Sequence, residues 1–293
     1  MLRIAVFATI PKGVFSGGRY HALMVAEVLA RLGHEAWFIT NNPPVFAEDL
    51  APIAPDNPVR IVLTDDFNVS PAVPFDAVFV APQMTPFPQF YKSAVRFARE
   101  AGAGLVLINY ESPNWFNAFS PHPRPEENWR EWRSFAAEGA LVLSSAHESR
   151  KFAEAYNPPL PPESAVDLWQ PAINSVACSA VPEQPRERLI VLFSRPSDAH
   201  KGGGDISDLI GPELSGHTIG LIIGNPRQAE PFVEELRVKG EPHGVGVEPY
   251  FALSDSQKFL LLKRAAAVVF PSYFEGYGYP PLEALACDTP CVA

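Results

Sequence analysis

The sequence predicts an α/β protein built from two doubly wound domains. Three observations carry that reading. Short apolar runs alternate with longer amphipathic segments, the same alternation restarts after a polar, proline-containing break, and 293 residues leave room for two domains at ~100–200 residues each.

The elements follow in order. Leu2 to Ala8 is a near-continuous apolar run, the pattern of a strand buried on both faces of a parallel sheet. A loop containing Pro11, Gly13 and Ser16-Gly17-Gly18 leads into a helix expected over residues 19–32, with Gly33 as its stop. A strand over 36–40 completes a βαβ unit. Further strands are expected at 60–63, 76–81, 104–108 and 140–144, and helices at 88–101 and 147–156. Residues 177–188, ACSAVPEQPRER, are polar and separate two apolar regions, so the domains are set at 1–177 and 178–293. In the second, strands are expected at 189–193, 218–223 and 267–270. Helices are expected at 227–239, from the capping box Ser254-Asp255-Ser256-Gln257 to about 266, and at 281–286. The final CVA reads as the start of another strand, so the second domain is expected to be incomplete, as in a fragment.

Composition excludes several classes. Hydrophobic residues make up 47% and charged residues 19%, values of a globular chain. No apolar run reaches the ~20 residues of a membrane-spanning helix, and MLRIAVFATI lacks a small-residue cleavage site, so no signal peptide is expected. The 32 prolines are scattered and mark loops. Residues 1–177 carry 13 basic and 18 acidic side chains and residues 178–293 carry 10 and 15, so each half has a net charge of −5. Neither half offers the concentrated positive surface that nucleic acid requires. Cys178, Cys287 and Cys291 form no CxxC pair, which fits a reducing, cytoplasmic setting. The histidines form no HExxH or Cys/His cluster, no Asp-x-Asp lies near a strand end, and no metal or other cofactor is expected.

The informative segment is 270–293, FPSYFEGYGYPPLEALACDTPCVA. Glu275 and Glu283 flank a Gly-Tyr-Gly loop and two prolines. Pro281 is expected at the first helical position. That puts Glu283 in the first turn, with free N–H groups and the positive dipole end turned to the loop, an arrangement suited to phosphate. Gly276 and Gly278 allow close backbone approach to a ligand. Taken singly, Glu283 could serve only its own helix and Glu275 could be a solvated loop acid.

This stretch resembles the Glu-x7-Glu region of glycosyltransferase family 4, retaining transferases of the GT-B fold. The match runs through Pro271, Ser272, Glu275, Gly276, Gly278, Pro280, Glu283, Ala284, Ala286 and Pro290. It departs at Tyr277, where Phe is usual, and at Asp288, where Gly is common; Asp tolerates a left-handed backbone better than most residues. Weaker matches sit in family order. GVFSGGRYHALMVAEVLARLGH is similar to the family's first loop and helix, and LIVLFSRPSDAHKGG to the strand that ends in Gly-Arg and the later Lys-Gly, with Ser194 in place of Gly. The helix-strand pair SDSQKFLLLKRAAAVVFPS fits the element before the motif.

The resemblance implies two Rossmann-type domains facing across a cleft, an acceptor-side domain followed by a nucleotide-sugar-binding one. It implies transfer of a sugar from a nucleotide-sugar to an acceptor hydroxyl, with retention and without a metal. Arg195 and Lys201 would bind the donor diphosphate, Glu275 would sit near the transferred sugar, and Glu283 would hold ribose hydroxyls. Gly17 and Gly18 would bring backbone N–H groups to the diphosphate, and Gly276, Tyr277 and Gly278 would line the donor site. Each has a plain structural reading beside it: Arg195 and Lys201 as solvated bases, the glycine pair as a tight turn. On the acceptor side, His21 either lines the cleft or is a partly buried helix histidine. Glu111 and Trp115 belong to an aromatic-rich segment, 109–135, that either contacts sugar or lipid or packs as a long loop. The acceptor would be a carbohydrate, a lipid-linked compound or a small molecule; membrane contact is possible but not indicated. The alternatives are a GT-B epimerase and a catalytically silent nucleotide-sugar-binding protein.

Overall fold

The computed structural model describes residues 1–13, 15–83, 87, 89–110, 126–154, 166–196, 199–223, 226–273 and 275–293. They fall into two units, one holding the described residues from Met1 to Ala172, the other Ile173–Ala293. Among the described residues no helix is long and apolar enough to cross a membrane.

The first unit runs β1 (Arg3–Ala8), α1 (Gly17–Arg31), β2 (Glu35–Thr40), α2 (Ala47–Leu50), β3 (Arg60–Leu63), β4 (Ala77–Val80), α3 (Phe90–Ala101), β5 (Gly104–Asn109), α4 (Glu126–Ala136), β6 (Leu141–Ser144), α5 (His147–Glu154) and β7 (Val166–Leu168). Its strands pair in parallel in the order β3-β2-β1-β4-β5-β6-β7. β1 lies inside the sheet, which is why it is apolar and buried from Ile4 to Ala8.

The second unit runs α6 (Ser175–Ala180), β8 (Leu189–Ser194), α7 (Gly203–Asp208), β9 (Thr218–Ile223), α8 (Pro226–Gly240), β10 (Gly246–Phe251), α9 (Asp255–Arg264), β11 (Ala267–Val269), α10 (Tyr279–Ala286) and β12 (Cys291–Val292). Its parallel order is β10-β9-β8-β11-β12. Val191, Phe259, Leu262 and Val268 build the core on one face, and Leu192, Ile219, Leu221 and Leu236 on the other. Both units are thus doubly wound, as expected, and both start from the middle of the sheet. The Ser254 capping box forms as read: Ser254 Oγ accepts from Gln257 N–H at 3.3 Å and Gln257 Oε1 from Ser254 N–H at 2.9 Å.

Several expectations are corrected. α1 begins at Gly17, two residues early, so the glycine pair occupies its first turn rather than a loop before it. The aromatic segment is not all loop. Residues 126–136 form α4, and Trp129, Trp132 and Phe135 point into the first core beside Phe90 and Phe97. Part of the polar break is helical: Asn174 caps α6 by accepting from Ala177 N–H at 3.1 Å, and Ala177, Cys178 and Val181 pack into the second core. β10 is an addition to the expected strands, because Glu248 and Pro249 interrupt its apolar pattern; it lies at a sheet edge, where a proline is tolerated. Asp288 does adopt the left-handed backbone, with φ 52°.

Candidate functional site

In open parallel sheets ligands bind beyond the carboxyl ends of the strands, where the strand order reverses. Each unit has one such point, between β1 and β4 and between β8 and β11.

In the second unit β8 ends at Ser194, and Arg195 follows, exposed. The chain makes a short 3-10 turn over Ala199–Lys201 and passes through Gly202 at φ 66° into α7. That turn is tied to the segment after β11. Tyr273 N–H donates to the His200 carbonyl at 2.8 Å and Ser272 Oγ to the same carbonyl at 3.4 Å. The Tyr273 hydroxyl donates to Asp205 Oδ2 at 2.5 Å. With the two segments stitched together, Lys201 Nζ lies 2.5 Å from Glu275 Oε1, with the side chains 16% and 24% exposed. The lysine and glutamate are therefore neither surface base nor loose loop acid. They form one ion pair at the carboxyl edge of the sheet, largely shielded from water, where its charges act more strongly than in bulk solvent.

The loop 275–278 then enters α10. Gly278, at φ 84°, precedes the helix, and the rings of Tyr277 and Tyr279 meet edge to face at 5.9 Å. Burial pushes the Tyr277 phenol above its ordinary range. α10 begins at Tyr279 rather than Pro281, so two prolines fall within its first turn. Its positive end survives, but those prolines bring no N–H donors, fewer than the sequence reading supposed.

The earlier start also moves Glu283 to the second turn, where it is only 4% exposed. Its Oε1 receives Lys258 Nζ at 2.7 Å, and the same ammonium donates to Asp255 Oδ1 at 2.8 Å. Asp255 Oδ2 accepts from Asn174 Nδ2 at 2.8 Å. Burial raises the Glu283 carboxyl above the usual range while Lys258 pulls it back. Burial opposes the charge on Lys258, but Glu283 and Asp255 outweigh it and hold the ammonium firmly protonated. Sequence reasoning missed Lys258, Asp255 and Asn174. The only signal was the i,i+3 pair of Asp255 and Lys258 inside a capping sequence, which reads like any exposed helix start.

The first unit places Gly17 and Gly18 at its own reversal point. A Cβ on Gly18 would lie 3.0 Å from Tyr110 Cε2, so the glycine makes room for that ring. The Tyr110 hydroxyl donates to the Gly18 carbonyl at 2.7 Å and lies 2.9 Å from His21 Nδ1. Since the Tyr110 proton is committed to Gly18, His21 supplies the other one from Nδ1. Burial lowers the His21 pKa to about 4, so the ring is neutral. Arg19, 2% exposed, donates to the Thr9 carbonyl from Nε at 3.0 Å and to the Pro82 carbonyl from Nη2, joining the ends of β1 and β4. Arg19 and Tyr110 were not singled out from sequence. Glu111 and Trp115 lie outside the described residues. Among those residues no three or more His, Cys, Asp or Glu side chains gather to hold a metal.

Residues 212–293 match the family model of glycosyl transferases group 1. No curated protein matches the chain in sequence. Solved structures similar to the whole chain include HepE from Anabaena in complex with UDP and glucose, 16% identical with TM-score 0.68, covering 100% of this chain and 80% of that one. Sucrose-phosphate synthase from Thermosynechococcus elongatus is 15% identical with TM-score 0.68, covering 99% and 80%. The pneumococcal O-GlcNAc transferase GtfA, in complex with UDP and GlcNAc, is 11% identical with TM-score 0.66, covering 99% and 83%. At these identities the likeness is one of fold, and the chain shares the Rossmann-like GT-B fold of these proteins.

Proposed function

We propose that this chain is a glycosyltransferase that moves a sugar from a nucleotide-sugar donor to an acceptor hydroxyl, with retention at the anomeric carbon and without a metal. The observation that carries the reading is the Lys201–Glu275 ion pair at the reversal point of the second sheet, whose Glu275 lies inside the segment 212–293 that matches the family model. Bond cleavage builds negative charge on the departing diphosphate and positive charge on the sugar ring. Lys201 and Arg195 are the fixed cations for the first, and Glu275 is the carboxylate for the second. Glu283 accepts hydroxyls of the ribose, and the loop 276–278 approaches the donor through glycine backbone. In the first unit Gly17 and Gly18 offer the N–H groups of a helix start to a phosphate, and neutral His21 stands on the acceptor side. The acceptor class is a carbohydrate, a lipid-linked compound or a small molecule.

The test supplies UDP-, GDP- and ADP-sugars with and without simple sugar acceptors, in EDTA, and follows free nucleoside diphosphate. Release that depends on acceptor, with the product linkage retaining the donor configuration, is the expected result. Sugar isomers without release would replace this reading with epimerisation. Binding of nucleotide-sugar without turnover of any acceptor would replace it with a silent binding protein, and loss of activity in EDTA would remove the metal-free part.

A further inference from the structure

The cluster around Glu283 is built more elaborately than one helix acid requires. Three helix starts meet there. Asn174 caps α6, Asp255 opens α9 with Lys258 one turn on, and Glu283 stands in the second turn of α10. α9 leads into β11 and α10 follows it, so in a parallel sheet both helix starts lie at the carboxyl edge of the strands, the edge where ligands bind. The contacts form one line. Asn174 Nδ2 reaches Asp255 Oδ2 at 2.8 Å, Lys258 Nζ reaches Asp255 Oδ1 at 2.8 Å, and Lys258 Nζ reaches Glu283 Oε1 at 2.7 Å. The Asp255, Lys258 and Glu283 side chains are 5%, 12% and 5% exposed.

Two buried carboxylates, Asp255 and Glu283, share the Lys258 ammonium, and a buried carboxylate is costly unless hydrogen-bond donors meet its oxygens. Lys258 occupies Oε1 of Glu283, which leaves Oε2 to accept, and a vicinal diol brings the two O–H donors a carboxylate takes best. We propose that Lys258, anchored by Asp255 and Asn174, is a positioning residue that fixes one oxygen of Glu283 and turns the other to the ribose hydroxyls of a nucleoside diphosphate. The inference rests on the reading above, that the second unit holds the donor nucleotide. Among the described residues, the titratable groups that act on Glu283 or are acted on by it are Lys258 and Asp255 from α9 and Cys287 at the end of its own helix.

The experiment measures dissociation constants of UDP, GDP and ADP and of their 2′-deoxy forms by calorimetry between pH 6 and 9. The wild-type chain is expected to favour the ribose form by about tenfold or more, the scale of a hydrogen bond to a charged group. Lys258→Met is expected to bring that preference within about twofold, the Coulomb and hydrogen-bond support of Glu283 being gone. Asp255→Asn/Lys258→Met removes both partner charges together and so leaves no other uncompensated ion. In it the affinity for the ribose form is expected to climb with pH as the unsupported Glu283 ionises, and adding Glu283→Gln is expected to flatten that climb. Packing alone would move neither the ribose preference nor its pH profile. If wild type binds a diphosphate but shows no ribose preference, or if the folded variants keep the full preference and the wild-type pH profile, the positioning role is overturned and the nucleotide-binding reading stands. If wild type binds none of the three diphosphates, that reading fails, and this assignment fails with it.

Discussion

Gly202 packs so closely beneath Pro271 that a methyl group on the glycine would overlap the proline carbonyl oxygen. Gly202 also holds φ 66°, a backbone that side chains disfavour. Lys201 is its neighbour, so the approach of these two loops sets where the lysine meets Glu275. Gly204, two residues on, has open space where its Cβ would be.

Gly202→Ala is therefore expected to cost about 1–3 kcal/mol of stability through backbone strain alone, and more through the overlap. It should also lower turnover with the fold retained, because it displaces Lys201. Gly204→Ala, inside α7, is the control and should be neutral or stabilising by up to about 1 kcal/mol. Chemical denaturation and steady-state turnover of the pair check both; equal effects would dissociate the close approach from the site.

Glu275→Gln is expected to reduce turnover by at least ~10²-fold, the loss seen when one transition-state contact is removed. Lys201→Met should weaken nucleoside diphosphate binding by ~1.5–3 kcal/mol. The double variant should lose less than the two effects combined, because each single change also breaks the ion pair. A double-mutant cycle on turnover reads the coupling, and strict additivity would mean that the pair does not act as a unit.

Glu27, in the third turn of α1, is 4% exposed, and its Oε2 has no hydrogen-bond partner among the described residues. Burial raises its pKa from 4.5 to about 7. The folded state then holds this proton more tightly than the unfolded one, so the contribution is full below pH 4.5 and is lost as pH rises through about 7. Glu27→Gln should unfold with less pH dependence over that window. It should be more stable than wild type at pH 8 by about 1–2 kcal/mol, allowing for screening by nearby solvent. Denaturant melts at pH 5 and pH 8 give the difference directly.

Arg186, within the polar break between the apolar regions, closes two helix ends at once. Its Nη1 lies within 2.6–3.1 Å of the Leu262, Lys263 and Ala265 carbonyls and Thr289 Oγ1. Its Nη2 donates to the Cys287 and Asp288 carbonyls at 2.8 and 2.9 Å. Arg186→Ala leaves the ends of α9 and α10 without these donors and should cost about 2–4 kcal/mol. Lys keeps the charge but not the fork, so Arg186→Lys should recover less than half of that loss. Thermal unfolding checks it, and a change within about 0.5 kcal/mol, as at an ordinary surface site, would contradict the assignment.

The elements legible in the sequence were those whose burial is symmetric or whose ends carry specific chemistry. β1 is apolar on both faces and α9 announces itself by its capping box. β10 failed because an edge strand can hold Glu248 and Pro249 without penalty, and α6 failed because six small and polar residues resemble a linker until Asn174 caps them. The acids of the site were visible through their spacing across the Gly-Tyr-Gly loop. Their partners were not, since Lys201 lies 74 positions from Glu275 and Lys258 looks from sequence like a solvated lysine. Nothing in a linear pattern says which of two lysines will be folded against which acid.

The strand orders described above also dictate a building sequence. β1 is made first and sits in the middle; β2 adds to it, β3 adds to β2, β4 takes the other side of β1, and β5, β6 and β7 extend from there. In the second unit β9 and β10 grow outward from β8, then β11 and β12 grow the opposite way. Each strand, as it leaves the ribosome, finds its neighbour already in place, so neither sheet has to wait with an open gap for a later segment. Domains made in this way can fold as units in the order of synthesis. The ion pair of Lys201 and Glu275 joins the outward turn of the second sheet to its return, so it closes only after β11 has been laid.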